Sequence, residues 1–311
     1  MRVSFNAFSD SITSQLGDLS SAQLRLQRQA TSGQRISAAD DDPVGAQRLL
    51  DARAETEQLA QYTKNIARQR DVATVTQGSI QSLQKVSDRA AEIATRAVGV
   101  NSPQDLAQYA TEVNQLIEQT LNTANGKFGD GYLLGGTNTR QVPFTATRDS
   151  NGNITSVAYQ GNVADSAVEI GRGDTLDTHV PGSNTSGAGP SGLLADSRTG
   201  ADLFAHLISL RDHLQAGNTA AISATDTTQL TSDGNHLIDQ LGSNAAAIAR
   251  LDAADSANST RSQAVDKMKS SVTDVDLAQT LTDLSRAQSA YQIALQTGAK
   301  LLDLSLLNYL Q

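Results

Sequence analysis

Cysteine and tryptophan are absent from this chain of 311 residues, and it has only 5 prolines, 5 phenylalanines and 6 tyrosines. Without cysteine there is no disulfide, no thiolate metal site and no thiol nucleophile, and the chain is indifferent to the redox state of its surroundings. Few aromatics beside abundant Ala, Ser, Thr, Gln and Leu suit long helices better than one large globular core. Positive charge is scarce as well: 24 Lys and Arg stand against 33 Asp and Glu, a net charge of −9, with the cations scattered. That balance offers no basic patch to nucleic acid and disfavours an anionic membrane. No run approaches the ~18 consecutive apolar residues of a membrane span. The first 30 residues lack the apolar stretch and small-residue cleavage site of a secretory signal, so the chain is expected to be either cytoplasmic or exported without leader cleavage. Walker loops, dinucleotide fingerprints, nucleophile elbows and His-Glu zinc motifs are missing too, so neither catalysis nor a cofactor is expected.

What the chain does have is heptads at both ends. Leu277, Leu284, Tyr291 and Gly298 share one helical position, and Leu281, Leu295, Leu302 and Tyr309 share the position four residues later, with Gln288 as the polar exception. At the other end Phe5, Ile12, Leu19 and Leu26 fall seven apart, and Leu16 and Ala30 occupy the intervening position, with Ser9 and Gln23 as interruptions. Alternating 4,3 spacing builds a seam that faces another helix. Each buried Leu or Tyr is worth roughly 1.5–3 kcal/mol once covered. Two such segments, one at each terminus, predict that they pair with each other; two separate amphipathic helices on a globular domain remain the alternative.

Between the first seam and the next helix lies Ser32-Gly33-Gln34-Arg35-Ile36, followed by Asp40-Asp41-Asp42-Pro43. Gly33 reads as a helix C-cap, and Asp42 before Pro43 as a helix start, since a carboxylate and a first-position proline both suit a helix N-terminus. The aspartates lack the alternating ligands and distal carboxylate of a calcium loop, so no metal is expected. Ser32, Gly33, Arg35 and Ile36 with Asp41, Asp42 and Pro43, flanked by the terminal heptads, resemble the N-terminal signature of the flagellin superfamily.

From Pro43 to Val98 the only glycines are Gly45 and Gly78, and one helix of about 56 residues would run ~84 Å. Its later seam is Val72, Leu83, Val86, Ala90, Ile93 and Ala97, and Gly99 ends it. Ser102-Pro103-Gln104-Asp105 restarts a helix whose apolar side, Leu106, Ala110, Val113, Ile117 and Leu121, predicts an antiparallel pair. After Gly126 the pattern turns to short β-prone runs: Tyr132-Leu133-Leu134, then 142–147, 154–159 and 168–170, with a hairpin around Asn151-Gly152. The polar, Gly-rich run 183–192 is expected to be an exposed loop. Thr199 is expected to cap a short helix ending near Gly217, on which His206 and His213 are read as ordinary interfacial histidines; His179 and His236 offer no metal site. A long helix follows over 225–272, and a one-residue slip in apolar phase predicts a hinge at 273–276.

The expected fold is mainly α with a small β-rich insertion, in three nested layers. Residues 1–42 and 273–311 form a terminal coiled coil, 43–135 and 199–272 a helical rod, and 136–198 a β-rich domain carrying the 183–192 loop as a flexible segment. The family resemblance implies an extracellular structural subunit of the bacterial flagellum, exported through the flagellar type III apparatus, that self-associates into a tube through its terminal helices. Gly135-Gly136-Thr137 with Pro143-Phe144, the Met1-Arg2-Val3-Ser4 start and Asp274-Val275-Asp276 are closer to the superfamily's junction subunits than to ordinary flagellins. By that resemblance the partners are the first hook-filament junction protein (hook-associated protein 1) on one side, flagellin on the other, and an export chaperone at the C-terminal helix. A minor flagellin is the rival reading. A non-flagellar coiled-coil scaffold explains the heptads and leaves the Arg35 to Pro43 signature without a role.

Overall fold

The computed structural model describes residues 2–36, 38 and 40–309, with side chains over 10–36, 38 and 40–300. The chain divides into two compact units, Met1–Gln58 with Thr260–Gln311, and Leu59–Ser259. The first holds helices α1 (Arg2–Ser32) and α7 (Leu277–Tyr309). Helices α2 (Pro43–Ala97) and α6 (Thr227–Thr273) each begin in one unit and end in the other, so the division falls inside continuous helix at 58 and 260 and not at the proline or phase break.

In the second unit, α2 folds back through residues 98–102 into α3 (Pro103–Ala124). The turn is held by a capping box: Ser102 Oγ accepts the Asp105 amide at 3.2 Å while Asp105 Oδ2 accepts the Ser102 amide at 3.0 Å. Above it Arg89 bridges α2 and α3 by a fork onto Glu112, at 2.6 and 3.0 Å. The expected α2 seam is buried, Val72, Leu83, Val86, Ala90, Ile93 and Ala97 all lying in the core with Ile80 added. That core takes Leu106, Val113 and Ile117 from α3, and Leu203, Phe204, Leu207, Leu210 and Leu214 from α4 (Leu203–Gln215). A smaller cluster joins Ile66, Ile170 and Leu251.

The insertion is built from short hairpins. Strands β1 (Lys127–Phe128) and β2 (Gly131–Tyr132) pair antiparallel, as do β3 (Phe144–Arg148) with β4 (Ile154–Tyr159) and β5 (Val168–Gly171) with β6 (Asp174–Leu176). The β3–β4 turn closes as expected, with the Gly152 amide on Asp149 O at 3.1 Å and Gly152 at φ +86°, the left-handed region glycine enters without strain. Phe144 anchors β3 against Tyr159 and Phe204, ring centroids 5.1 and 5.4 Å apart.

Three expectations are corrected here. The run 183–192 is exposed only over 185–189; its ends are buried, because β7 (Ser183–Asn184) pairs parallel with β8 (Ala195–Asp196), and Asn184 Nδ2 donates to Ala188 O and Pro190 O at 2.7 Å. The helix assigned to Thr199 begins later, since Ala201 and Asp202 form β9 against β8 and the Asp202 carboxylate caps α4 through the Ala205 amide at 3.1 Å. The second long helix starts earlier than 225, through α5 (Thr219–Ala221) and a π-turn over Ile222–Asp226.

That π-turn and the start of α6 supply carboxylates to the histidines of α4. His206 Nδ1 meets Asp233 Oδ2 and His213 Nδ1 meets Asp226 Oδ2, both at 2.7 Å, while His236 Nε2 meets Gly192 O at 2.7 Å. Burial alone would depress His206, but Asp233 together with Asp202 and Asp226 outweighs it and holds the imidazole above its ordinary value. Ser209, His213 and Asp226 are not a nucleophilic relay, because the Ser209 hydroxyl donates to Asp226 Oδ1 at 2.9 Å and lies 3.5 Å from the same His213 nitrogen that holds the carboxylate.

Candidate subunit interface

The signature residues come together in the first unit as a clamp. Gly33 stops α1, its amide on Gln29 O at 2.9 Å and its φ at +68°. The chain then turns so that the Arg35 amide reaches Thr273 O at 2.6 Å, and Gln34 and Asp274 form a β-bridge. The Arg35 guanidinium donates twice to Val272 O, from Nε at 3.2 Å and Nη2 at 2.9 Å, and its Nη2 lies 3.1 Å from Asp42 Oδ2. One cation thus satisfies a C-terminal carbonyl of α6 and pairs with the N-cap of α2. Asp42 Oδ1 accepts the Gly45 amide at 2.9 Å; that bond first, then Arg35, holds the carboxyl below its usual range. Ser32 Oγ accepts the Gln34 amide, Asp41 Oδ2 accepts the Ala38 amide, and Ile36 is buried. Pro43 opens α2.

The phase break at 273–276 is where α6 stops and α7 begins, with Asp276 Oδ1 taking the Gln279 amide at 3.1 Å. From there α7 packs along α1. The pair is antiparallel, since the 34–274 bridge joins their near ends while Ile12 lies against Gly298. On α1 the face turned inward is Ile12, Leu16, Leu19, Gln23, Leu26 and Ala30, the 4,3 seam read from sequence. Phe5, Leu302 and Tyr309 carry side chains outside the described residues.

On α7 the seam is shifted. Thr280, Leu284, Ala287, Tyr291, Ala294 and Gly298 are buried or half-buried in 4,3 spacing, with Asp283 and Ala290 half-buried beside them. Leu284 and Tyr291 are half-buried and Gly298 is buried against Ile12, whereas Leu277, Leu281 and Leu295 of the expected seam are 50%, 56% and 45% exposed. Small residues stand at 287, 294 and 298, and at the last of these the Ile12 methyl lies 3.5 Å from where a Cβ would sit, an ordinary packing distance. The leucines four positions on are left as a flank wider than one helix covers. Beside the clamp, Ile36, Ala46, Leu49 and Leu50 line a recess of about 470 Å³ rimmed by Arg53 and Lys269. No group of metal-binding residues occurs among the described residues.

Residues 3–139 match the bacterial flagellin N-terminal helical region. A terminal helix pair, a clamped Arg–Asp turn and a long helix leading into a β insertion are the features carried by the matched region and its surroundings. Over that region the chain is similar to the flagellin superfamily, and the relatives it resembles are flagellar structural proteins and not enzymes. Within it, the chain is similar to flagellar hook-associated protein 3 of Escherichia coli, 24% identical over 91% of each chain, and of Salmonella typhimurium, 26% identical over 98% of each. The fold is shared with hook-associated protein 3 from Legionella pneumophila, TM-score 0.57 at 12% identity, over 76% of this chain and 98% of that one.

Proposed function

We propose that this protein is a structural subunit of the junction between the hook and the filament of the bacterial flagellum. It joins hook-associated protein 1 on the hook side to flagellin on the other, and it assembles into a tube through residues 1–42 and 273–311. The observation that carries this reading is the flank of Leu277, Leu281 and Leu295, an apolar stripe on a helix whose other face is already covered by α1. Such a stripe suits contacts between neighbouring subunits, and similarity to hook-associated protein 3 over nearly the whole chain supports this reading. A chaperone covers the C-terminal helix before export.

The test is electron microscopy of the purified protein added to hook-basal bodies, followed by flagellin. Protein at the hook tip that permits filament growth is the expected result. Long filaments of this protein alone would overturn it in favour of a minor flagellin, the reading that the matched flagellin region also fits.

A further inference from the structure

Polar side chains at the mouths of this molecule's recesses are mostly consumed by the fold. In the cleft beneath β4 and β7, Asn184 binds Ala188 O and Pro190 O, Asn162 holds Thr137, and the Tyr159 hydroxyl donates to Leu134 O. The recess between α2 and the β1–β2 hairpin is different. Its cavity of about 440 Å³ is lined by Arg68, Arg140 and His179 together with Phe128 and Tyr132. Neither Arg68 nor Arg140 has a hydrogen-bond or ion-pair partner among the described residues. Beside the recess, Lys127 lies 4.6 Å from the centre of the Tyr132 ring. Asp130, at the exposed hairpin tip, is the one carboxylate on the wall. Asp177 is occupied by the His179 amide and Nδ1, both at 2.8 Å, which leaves Nε2 as the ring's remaining polar atom.

The cations are set on a fixed frame. The Tyr132 amide binds Thr139 O at 2.8 Å, which ties the segment carrying Arg140 to the hairpin, and the Leu133 amide binds Gly126 O at 3.0 Å. Buried Thr178 donates to Gln69 O at 3.2 Å, so the residue before His179 is joined to the residue after Arg68. A chain of net charge −9 thus holds a concave, locally positive site with unpaired guanidiniums and two aromatic rings. Guanidiniums select planar or tetrahedral oxyanions through paired N–H donors, and the rings offer an apolar face to a flat or cyclic ligand.

We propose that this recess binds an acidic saccharide, a sugar carrying carboxylate or sulfate groups, with Arg68, Arg140 and His179 on the oxyanions and Phe128 against the ring. The cavity is sized for one or two sugar rings. The test is calorimetric titration of the full chain with a heparin-derived sulfated disaccharide at low salt. Binding should weaken by about tenfold or more in Arg68→Gln and in Arg140→Gln, and with added salt. Phe128→Ala should also weaken it, and Arg53→Gln, in the other unit, should leave it unchanged. Thermal unfolding of each variant confirms that it is folded, as expected for exposed side chains. Absence of binding, equal binding by the arginine variants, or equal competition by inorganic sulfate or by hexaglutamate overturns the proposal; the last would mark the recess as a site for an acidic peptide.

Discussion

Asp233→Asn isolates the buried imidazole–carboxylate pair that joins α4 to α6. Asp233 is 1% exposed and the His206 side chain 11%, so their 2.7 Å contact is shielded from water. Removing one member of a buried pair costs roughly 3–5 kcal/mol, because the other is left uncompensated. Asparagine still accepts the Asp202 amide now held by Asp233 Oδ1 at 3.1 Å, so about 3 kcal/mol at pH 6 is the expected loss. The sign with pH follows from His206, whose pKa is raised in the fold. Its contribution is fully present below the ordinary histidine value of about 6.5 and is lost as pH rises through the raised value. The charges facing it are Asp233, Asp202 and Asp226, and Asp202 is itself pushed up, chiefly by burial. The assay is urea unfolding followed by helical circular dichroism at pH 6 and pH 8. At an m-value of about 3 kcal/mol/M the variant's midpoint drops by about 1 M at pH 6 and by less at pH 8. Equal midpoint losses at the two pH values would refute the assignment of the charged pair.

Gly45→Ala places a Cβ 2.6 Å from both Asp42 Oδ2 and Ile36 Cδ1, so the cap must move; a loss of about 1–2 kcal/mol in the stability of the first unit is expected, read by amide exchange across 30–45. Gly298→Leu fills the space against Ile12 and should separate α1 from α7, seen as faster exchange in both helices with the second unit's thermal unfolding unchanged. Ile117→Ala opens a cavity at a fully buried position of the second unit and should cost about 2–5 kcal/mol by denaturant unfolding. Leu281→Arg with Leu295→Arg charges the open flank of α7 and should leave the monomer's circular dichroism intact while abolishing incorporation at the hook tip; normal incorporation would refute the role given to that flank.

The α1 seam was legible because Ile12, Leu16, Leu19 and Leu26 alternate against polar neighbours, and no other large residue competes for that face. On α7 the same rule chose the wrong companion for the Leu284 series. Its buried and half-buried companions are Thr280, Ala287 and Ala294, which carry little hydrophobic signal, whereas the leucines at 281 and 295 carry much and stay outside. Arg35 was visible as a signature, but its principal acceptor is the backbone carbonyl of Val272, which no side-chain pattern announces. The histidine partners were hidden for a related reason: Asp233 and Asp226 lie 27 and 13 residues from their imidazoles, across a π-turn. Two-residue strands such as β7 and β8 are too short to have a period. The basic recess likewise draws on residues 68, 128–140 and 179, which only the folded chain brings together.

The Arg35–Val272 contact closes a span of 237 residues. Closing a span that long carries an entropic cost, yet that cost grows only with the logarithm of length. Once closed, the clamp presents α1 and α7 to each other at a high effective concentration, in the millimolar range typical of short tethers. The pair is thereby favoured to form within its own chain, and exchange of α1 between copies is disfavoured before any assembly begins.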